Sequence, residues 1–206
     1  MSERGRPRSF DRAKALEAAL EVFWRRGYEG ASLTDLTAAM GINSPSLYAC
    51  FGSKEGLFRA AVELYVATAG QEAFDVLEAA PTARAGVEAM LRLNVRNFTR
   101  PDRPTGCLVV LGDRNSPTED DAVRAFLAQH RRESAAAMRR RLERGIAEGD
   151  LPPGIDTKAI ADFYTTVLHG QSMQARDGAS SEAMHRIVDC AMTAWDALTL
   201  PPPVAA

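Results

Sequence analysis

Ser44, Pro45, Ser46, Leu47, Tyr48 and Ala49 form a short run suited to one kind of chemistry. The hydroxyls of Ser44 and Ser46 can hydrogen-bond base edges or phosphates, and Ala49 can pack on a thymine methyl. The run holds no Arg or Asn, so no bidentate base contact is on offer and direct readout is modest. Affinity must then lean on the DNA backbone, through Thr34, Tyr48 and Lys54 and through arginines at the start of the chain.

Those arginines are Arg4, Arg6 and Arg8, in MSERGRPR. An extended Arg-Gly-Arg-Pro resembles the core of an AT-hook and can lie in a narrow A·T minor groove, whose negative potential draws arginine in. As a solvated tail it offers only non-specific phosphate attraction. A neighbouring DNA-reading element favours the arm.

The stretch Leu33–Lys54 must position these groups. Ser32 with Asp35 three residues on marks a helix start. Leu36, Met40, Ile42 and Leu47 are its apolar positions, and Gly41 allows a sharp turn between them. Asn43 can cap a second helix, with Pro45 in its first turn. This is the spacing of a helix-turn-helix, whose second helix enters the major groove. Before it, Ser9 opens a helix ended by Gly27, with Leu16, Ala19, Leu20, Phe23 and Trp24 as core positions. Ser53 caps a helix from Lys54 to about Ala80.

At these residues the chain resembles the DNA-binding segment of tetracycline-repressor (TetR/AcrR) type bacterial regulators. The matches are Ser32, Asp35, Leu36, Gly41, Leu47, Tyr48, Phe51, Ser53, Lys54, Glu55 and Leu57, flanked by Leu16, Ala18, Ala19, Phe23, Gly27 and Tyr28. Cys50 stands where the family commonly has histidine, and Thr37 where alanine is usual. The resemblance covers about the first sixty residues. It implies that Tyr48 and Lys54 bind phosphate, that the rest of the chain is an all-helical regulatory half binding a small-molecule effector, and that its last two helices form a four-helix bundle with a second subunit.

Composition is consistent with this. The 206 residues carry 46% apolar side chains and a net charge of −2. Residues 1–60 hold nine Lys/Arg against seven acids, and the remainder sixteen against twenty. A mildly basic head on an acidic body follows, although the difference is small. Three scattered cysteines and three histidines, without metal-ligand spacing, argue against a disulfide framework or a metal, and no cofactor is expected. No signal or membrane segment is visible, so a cytoplasmic setting is expected. Cys50, beside the reading helix, could act as a redox switch but reads better as a small, partly buried hydrophobe.

The body shows no strand signal. Helices are predicted over 83–99, from the Ser116-Pro-Thr-Glu119 start to about Glu148, from Asp156 to about Arg176 and from Ser181 to about Leu198. CLVVLG at 107–112 reads as a buried helical turn. The arginines 131, 132, 139–141 and 144 read as a solvated face. The expected fold is all-α, with a helix-turn-helix head (1–60), an effector-binding and dimerisation domain (61–200) and a disordered tail (201–206). Polar residues interrupt apolar faces of the body, and the predicted pocket is Met90, Leu91, Asn94, Phe98, Cys107, Val110, Phe126, His130, Ser134, Met138, Phe163, Tyr164, Val167 and Gln171. No charged residue is expected on those faces. The predicted dimer interface is Phe163, Val167, Leu168, Met184, Ile187, Val188, Ala191 and Trp195. The whole reads as a ligand-responsive DNA-binding regulator, a repressor in first instance. An enzyme using Cys107, His130 and Ser134 is the rival, and a DNA-binding protein without a ligand is a third reading.

Overall fold

The computed structural model describes residues 11–113 and 121–200. The arginine arm, the Ser116–Glu119 start and the tail lie outside the described residues, whereas the first helix opens at Asp11 and not at the expected Ser9. The only regular structure among those described is helical, without a strand. In chain order the helices are α1 (Arg12–Gly30), α2 (Leu33–Met40), α3 (Ser44–Phe51), α4 (Lys54–Tyr65), α5 (Gln71–Ala79), α6 (Ala83–Phe98), α7 (Leu108–Leu111), α8 (Asp121–Ala147), α9 (Thr157–Arg176), α10 (Ser181–Thr193) and α11 (Trp195–Leu198).

Asp11 caps α1, accepting the N–H groups of Ala13 and Lys14 at 3.1 and 3.2 Å. Regular helix stops at Gly27, which takes φ 72°. Side chains with a Cβ rarely hold this conformation, and the Tyr28 N–H behind it is thereby aimed out of the helix. It donates to the Gly112 carbonyl at 2.8 Å, so the head's first helix ends against the body. Ser180, rather than Ser181, caps α10. Asp156 caps α9 as expected.

The helix from Lys54 toward Ala80 is interrupted. Between α4 and α5 the residues Val66–Gly70 form a π-helical turn, which leaves no break but adds a residue to the winding. Thr68 donates its hydroxyl to the Leu64 carbonyl at 2.6 Å and fills part of the widened turn. This turn corrects the expectation of one plain helix from Lys54 to about Ala80.

Two apolar clusters result. The head's cluster holds Phe23, Leu36, Leu47, Leu57, Phe58 and Tyr65, and extends to Leu108, Val109, Val123 and Leu127 of the body. Phe58 packs edge-on against Phe23 at 5.0 Å and Tyr28 at 5.1 Å, an arrangement favoured by the ring quadrupoles. The body's cluster holds Val87, Leu91, Leu142, Tyr164, Met184, Val188 and Trp195.

The arginines of α8 are not all a solvated face. Arg141 is 1% exposed. Its guanidinium donates to the Leu77 and Ala80 carbonyls at 3.2 and 3.1 Å, at the end of α5 where helix carbonyls lack partners. Arg131 donates to the Val109 carbonyl at 2.7 Å. Arg144 holds the Glu78 carboxylate at 2.5 Å.

Arg141→Leu is expected to destabilise the fold by about 2 kcal/mol or more, since charge-assisted bonds contribute roughly 1.5–3 kcal/mol and two carbonyls lose their donors. Arg141→Lys should recover only part, lacking the fork. Urea unfolding checks this, and a midpoint unchanged in Arg141→Leu would refute it.

Candidate DNA interface and effector cavity

The α2–α3 pair is built as its residues dictate. The Ser32 hydroxyl accepts the Asp35 N–H at 3.1 Å, and the Asp35 carboxylate accepts the Ser32 N–H at 3.2 Å. These Ser32 bonds, with Arg26 at 2.6 Å, hold the Asp35 carboxyl below its ordinary pKa. Gly41 turns the chain at φ 65°. Thr37 fits in place of alanine because its hydroxyl bonds back to the Leu33 carbonyl at 2.8 Å. Asn43 caps α3 by accepting the Ser46 N–H at 2.9 Å.

Leu47 is fully buried and fixes the rotation of α3. Ser44, Pro45, Tyr48 and Ala49 therefore face solvent, and Ser46 is half-buried. Tyr48 is 45% exposed, so its ring belongs to the outer surface and not to the head's core. Thr34 is exposed, and so is Cys50, which had been expected partly buried. Lys54, at the start of α4, holds its ammonium 4.5 Å from the centre of the Tyr28 ring. Arg12, missed in sequence, stands 4.8 Å over the Phe51 ring at the end of α3. Only the fold brings it there. Arg4, Arg6 and Arg8 lie outside the described residues.

A cavity of about 280 Å3 lies among the π turn, α5, α6, α8, α9 and the 107–110 segment. Of the expected pocket residues, Met90, Asn94, Phe98, Cys107, Val110, His130 and Ser134 line it. Leu91, Met138 and Tyr164 instead sit in the body's apolar core. Gln171 is buried there too, its amide reaching the Leu91 carbonyl at 3.5 Å. Val167 packs half-buried on that core, and Phe163 is exposed. Phe126 stacks edge-on against His130 at 4.7 Å, beneath the Arg59 guanidinium.

Sequence reasoning missed Tyr65, Val66, Ala69 and Phe74, which also line the cavity. They lie along one side of the α4–π turn–α5 run. Leu168, expected at the dimer interface, lines it as well. Glu133 and Arg140 reach the lining although no charged residue was expected, and both are exposed. His130 lies 3.5 Å from both Glu63 and Glu133.

The inner polar groups are largely occupied by the protein itself. Asn94 donates to the Met90 carbonyl at 2.9 Å, and Ser134 to the His130 carbonyl at 3.1 Å. Burial pushes the Cys107 thiol up, and burial, with Cys107 beside it, pushes the Tyr65 hydroxyl well up. Burial and then Arg131 push His169 down. Burial thus disfavours the charged forms of these three groups.

The cavity and the head share α7. Cys107, Val109 and Val110 line the cavity, while Leu108 and Val109 also belong to the head's cluster. Gly112 accepts from Tyr28 as described, and the Trp24 indole donates to the Gly106 carbonyl at 2.9 Å. Among the described residues no His/Cys/Asp/Glu group could hold a metal, and no helix is long and apolar enough to cross a membrane.

This geometry defines a helix-turn-helix DNA-binding protein whose helical body carries a ligand-sized cavity joined to the head. Residues 15–61 match the profile described as bacterial regulatory proteins, tetR family, and residues 83–191 match the tetracyclin repressor-like C-terminal domain. The chain belongs to the tetR family and is a DNA-binding transcriptional regulator. It is 34% identical to the HTH-type transcriptional repressor ComR of Escherichia coli (strain K12), covering 95% of this chain and 93% of that one. To BdcR of the same organism, also an HTH-type transcriptional repressor, it is 32% identical over 87% of this chain and 86% of that one. A cysteine mutant of the TetR-family regulator CifR, solved with a 26-base-pair double-strand operator, is 51% identical, with a TM-score of 0.90, covering 92% of this chain and 100% of that one.

Tyr48→Ala and Lys54→Ala are each expected to weaken binding about tenfold on every sequence alike, the loss of roughly one phosphate contact. Lys54→Ala should also lower the salt slope by about one. Fluorescence anisotropy on matched and scrambled probes across a salt series measures both. A loss confined to one base position would assign these side chains to base reading instead.

Proposed function

We propose that this chain is a homodimeric repressor that leaves a near-palindromic operator when a small, uncharged, largely apolar molecule fills the cavity. The observation that carries this is the shared use of α7. An occupant pressing on Cys107, Val109 or Val110 presses on a segment whose other side chains are packed into the head. An effector acts only through its differential affinity for two arrangements, and a filled and an empty cavity supply that difference. The relatives named as repressors and the structure solved on an operator support the same reading. Such a protein works where the chromosome is, in the cytoplasm.

The enzyme reading finds little support in the cavity. Ser134 bonds to a backbone carbonyl and not to a base, and the Cys107 thiol is pushed toward its unreactive form.

The dimer reading keeps its helices but changes its residues. Met184, Val188, Ala191 and Trp195 are buried in the chain's own core, so they cannot form the contact expected of them. The outward side of α9 carries Ala159, Phe163, Thr166 and Gly170, and that of α10 carries Ile187 and Cys190. Phe163 and Ile187 are large apolar side chains 38% and 37% exposed. A Cβ at Gly170 would meet nothing within 4 Å, which leaves room for a partner helix to approach closely. This face is the proposed two-fold contact.

Ala137→Phe, which fills the cavity from α8, should abolish effector-driven operator release while leaving operator affinity within about twofold, a change of under 1 kcal/mol. A release titration with small neutral hydrophobic compounds checks this. Release driven only by multiply charged compounds, or retained in Ala137→Phe, would overturn the cavity reading.

Phe163→Glu with Ile187→Glu should convert dimer to monomer at micromolar concentration, because two like charges would face their own copies across the contact. Light scattering reads the mass directly. An unchanged dimer would place the interface elsewhere.

A further inference from the structure

A second cleft, of about 340 Å3, opens beside the α1–α7 junction and has the opposite chemistry. Trp24 and Arg25 of α1 line one part of it. Arg103, from the segment after α6, and Arg176, in the last turn of α9, line another. No carboxylate contributes to the lining. Arg25 meets Glu21 of its own helix at 2.5 Å. Asp102, the acid beside Arg103 in the chain, is held by Arg100 at 2.6 Å. Among the described residues neither Arg103 nor Arg176 forms an ion pair. Arg176 also offsets the negative end of the α9 dipole, but Arg103 sits in no helix and has no such role.

Two guanidinium groups without an ion pair among the described residues, Arg103 and Arg176, thus border one cleft with the Glu21-paired Arg25, and no carboxylate is in its lining. Guanidinium forks match phosphate and carboxylate oxygens, and a bridging anion would relieve their mutual repulsion. We propose that this cleft binds a compact multivalent oxyanion, of pyrophosphate or tricarboxylate size, bridging α1 of the head to the 103–105 segment and α9 of the body. The site is distinct from the apolar cavity. Trp24 lies between the two, packing edge-on against the cavity residue Tyr65 at 4.7 Å.

The test is isothermal titration of the full-length protein with pyrophosphate and, separately, citrate, at about 20 mM salt to limit screening. Saturable binding in the millimolar range or tighter is expected for at least one of them. It should weaken about tenfold or more in Arg103→Ala and in Arg176→Gln, about 1.4 kcal/mol or more. Arg140→Ala, at the other cavity, should bind as wild type does. Circular dichroism and thermal melting confirm that each variant is folded. The absence of saturation at about 10 mM of either anion, or equal affinity in wild type and both arginine variants, would overturn the proposal. So would operator DNA competing with pyrophosphate while Arg103→Ala loses operator affinity, since DNA phosphates would then be the occupant.

Discussion

The hydrogen bond from the Tyr28 amide to the Gly112 carbonyl is the constraint on which the arrangement depends. A main-chain bond of this kind has no side-chain rotamer to absorb a displacement. It is reached only because Gly27 leaves the helical region, and a Cβ there would stand 3.2 Å from the same carbonyl oxygen. On its other side α7 is tied to the body, the Val109 carbonyl to Arg131 and the Cys107 amide to the Ser172 hydroxyl at 2.8 Å. One short, very apolar turn is therefore held from both directions. Packed interiors tolerate displacement poorly, so this turn has little room to move independently of either neighbour.

The second link between head and body is the continuous run α4–π turn–α5. A loop at this point would let the head move freely. The π turn keeps the connection continuous, and its Val66, Ala69 and Gly70 line the cavity. Such turns are uncommon, and this one lines the cavity.

Arginine is used in three ways. Arg141 is buried and satisfies the carbonyl end of α5. Arg131 and Arg144 fasten neighbouring segments at half-buried sites. Arg103 and Arg176 border a cleft without a carboxylate partner among the described residues. The residue type is the same in each case, and the difference lies in what the neighbouring backbone presents. A helix end with open carbonyls takes up a guanidinium, whereas a cleft without acids leaves its charge available to an anion.

Local rules were enough for the head. Capping by Ser32, Asn43 and Ser53, the turn at Gly41 and the buried Leu47 all act within a few residues, so they are legible in the chain itself. The same holds for the all-helical class and for the buried turn at 107–112. The cavity was half legible. Met90, Asn94 and Phe98 share one helical face, and that face does line it, but that the side of the run from Tyr65 to Phe74 faces the same space is settled by packing between elements. Periodicity also shows that a face is apolar without saying what covers it. Met184, Val188 and Trp195 were read as facing a second subunit and instead fill their own core, while Leu168 turned from that contact to the cavity. Arg141 departs from the expected solvated face of α8 for the same reason, since its burial depends on carbonyls some sixty positions away, while Arg132, Arg139 and Arg140 are exposed as expected. Sequence determined which segments are helices and which faces are greasy. Tertiary packing decided which of those faces meet, because burial and long-range hydrogen bonds belong to pairs of elements and are not encoded in either one alone.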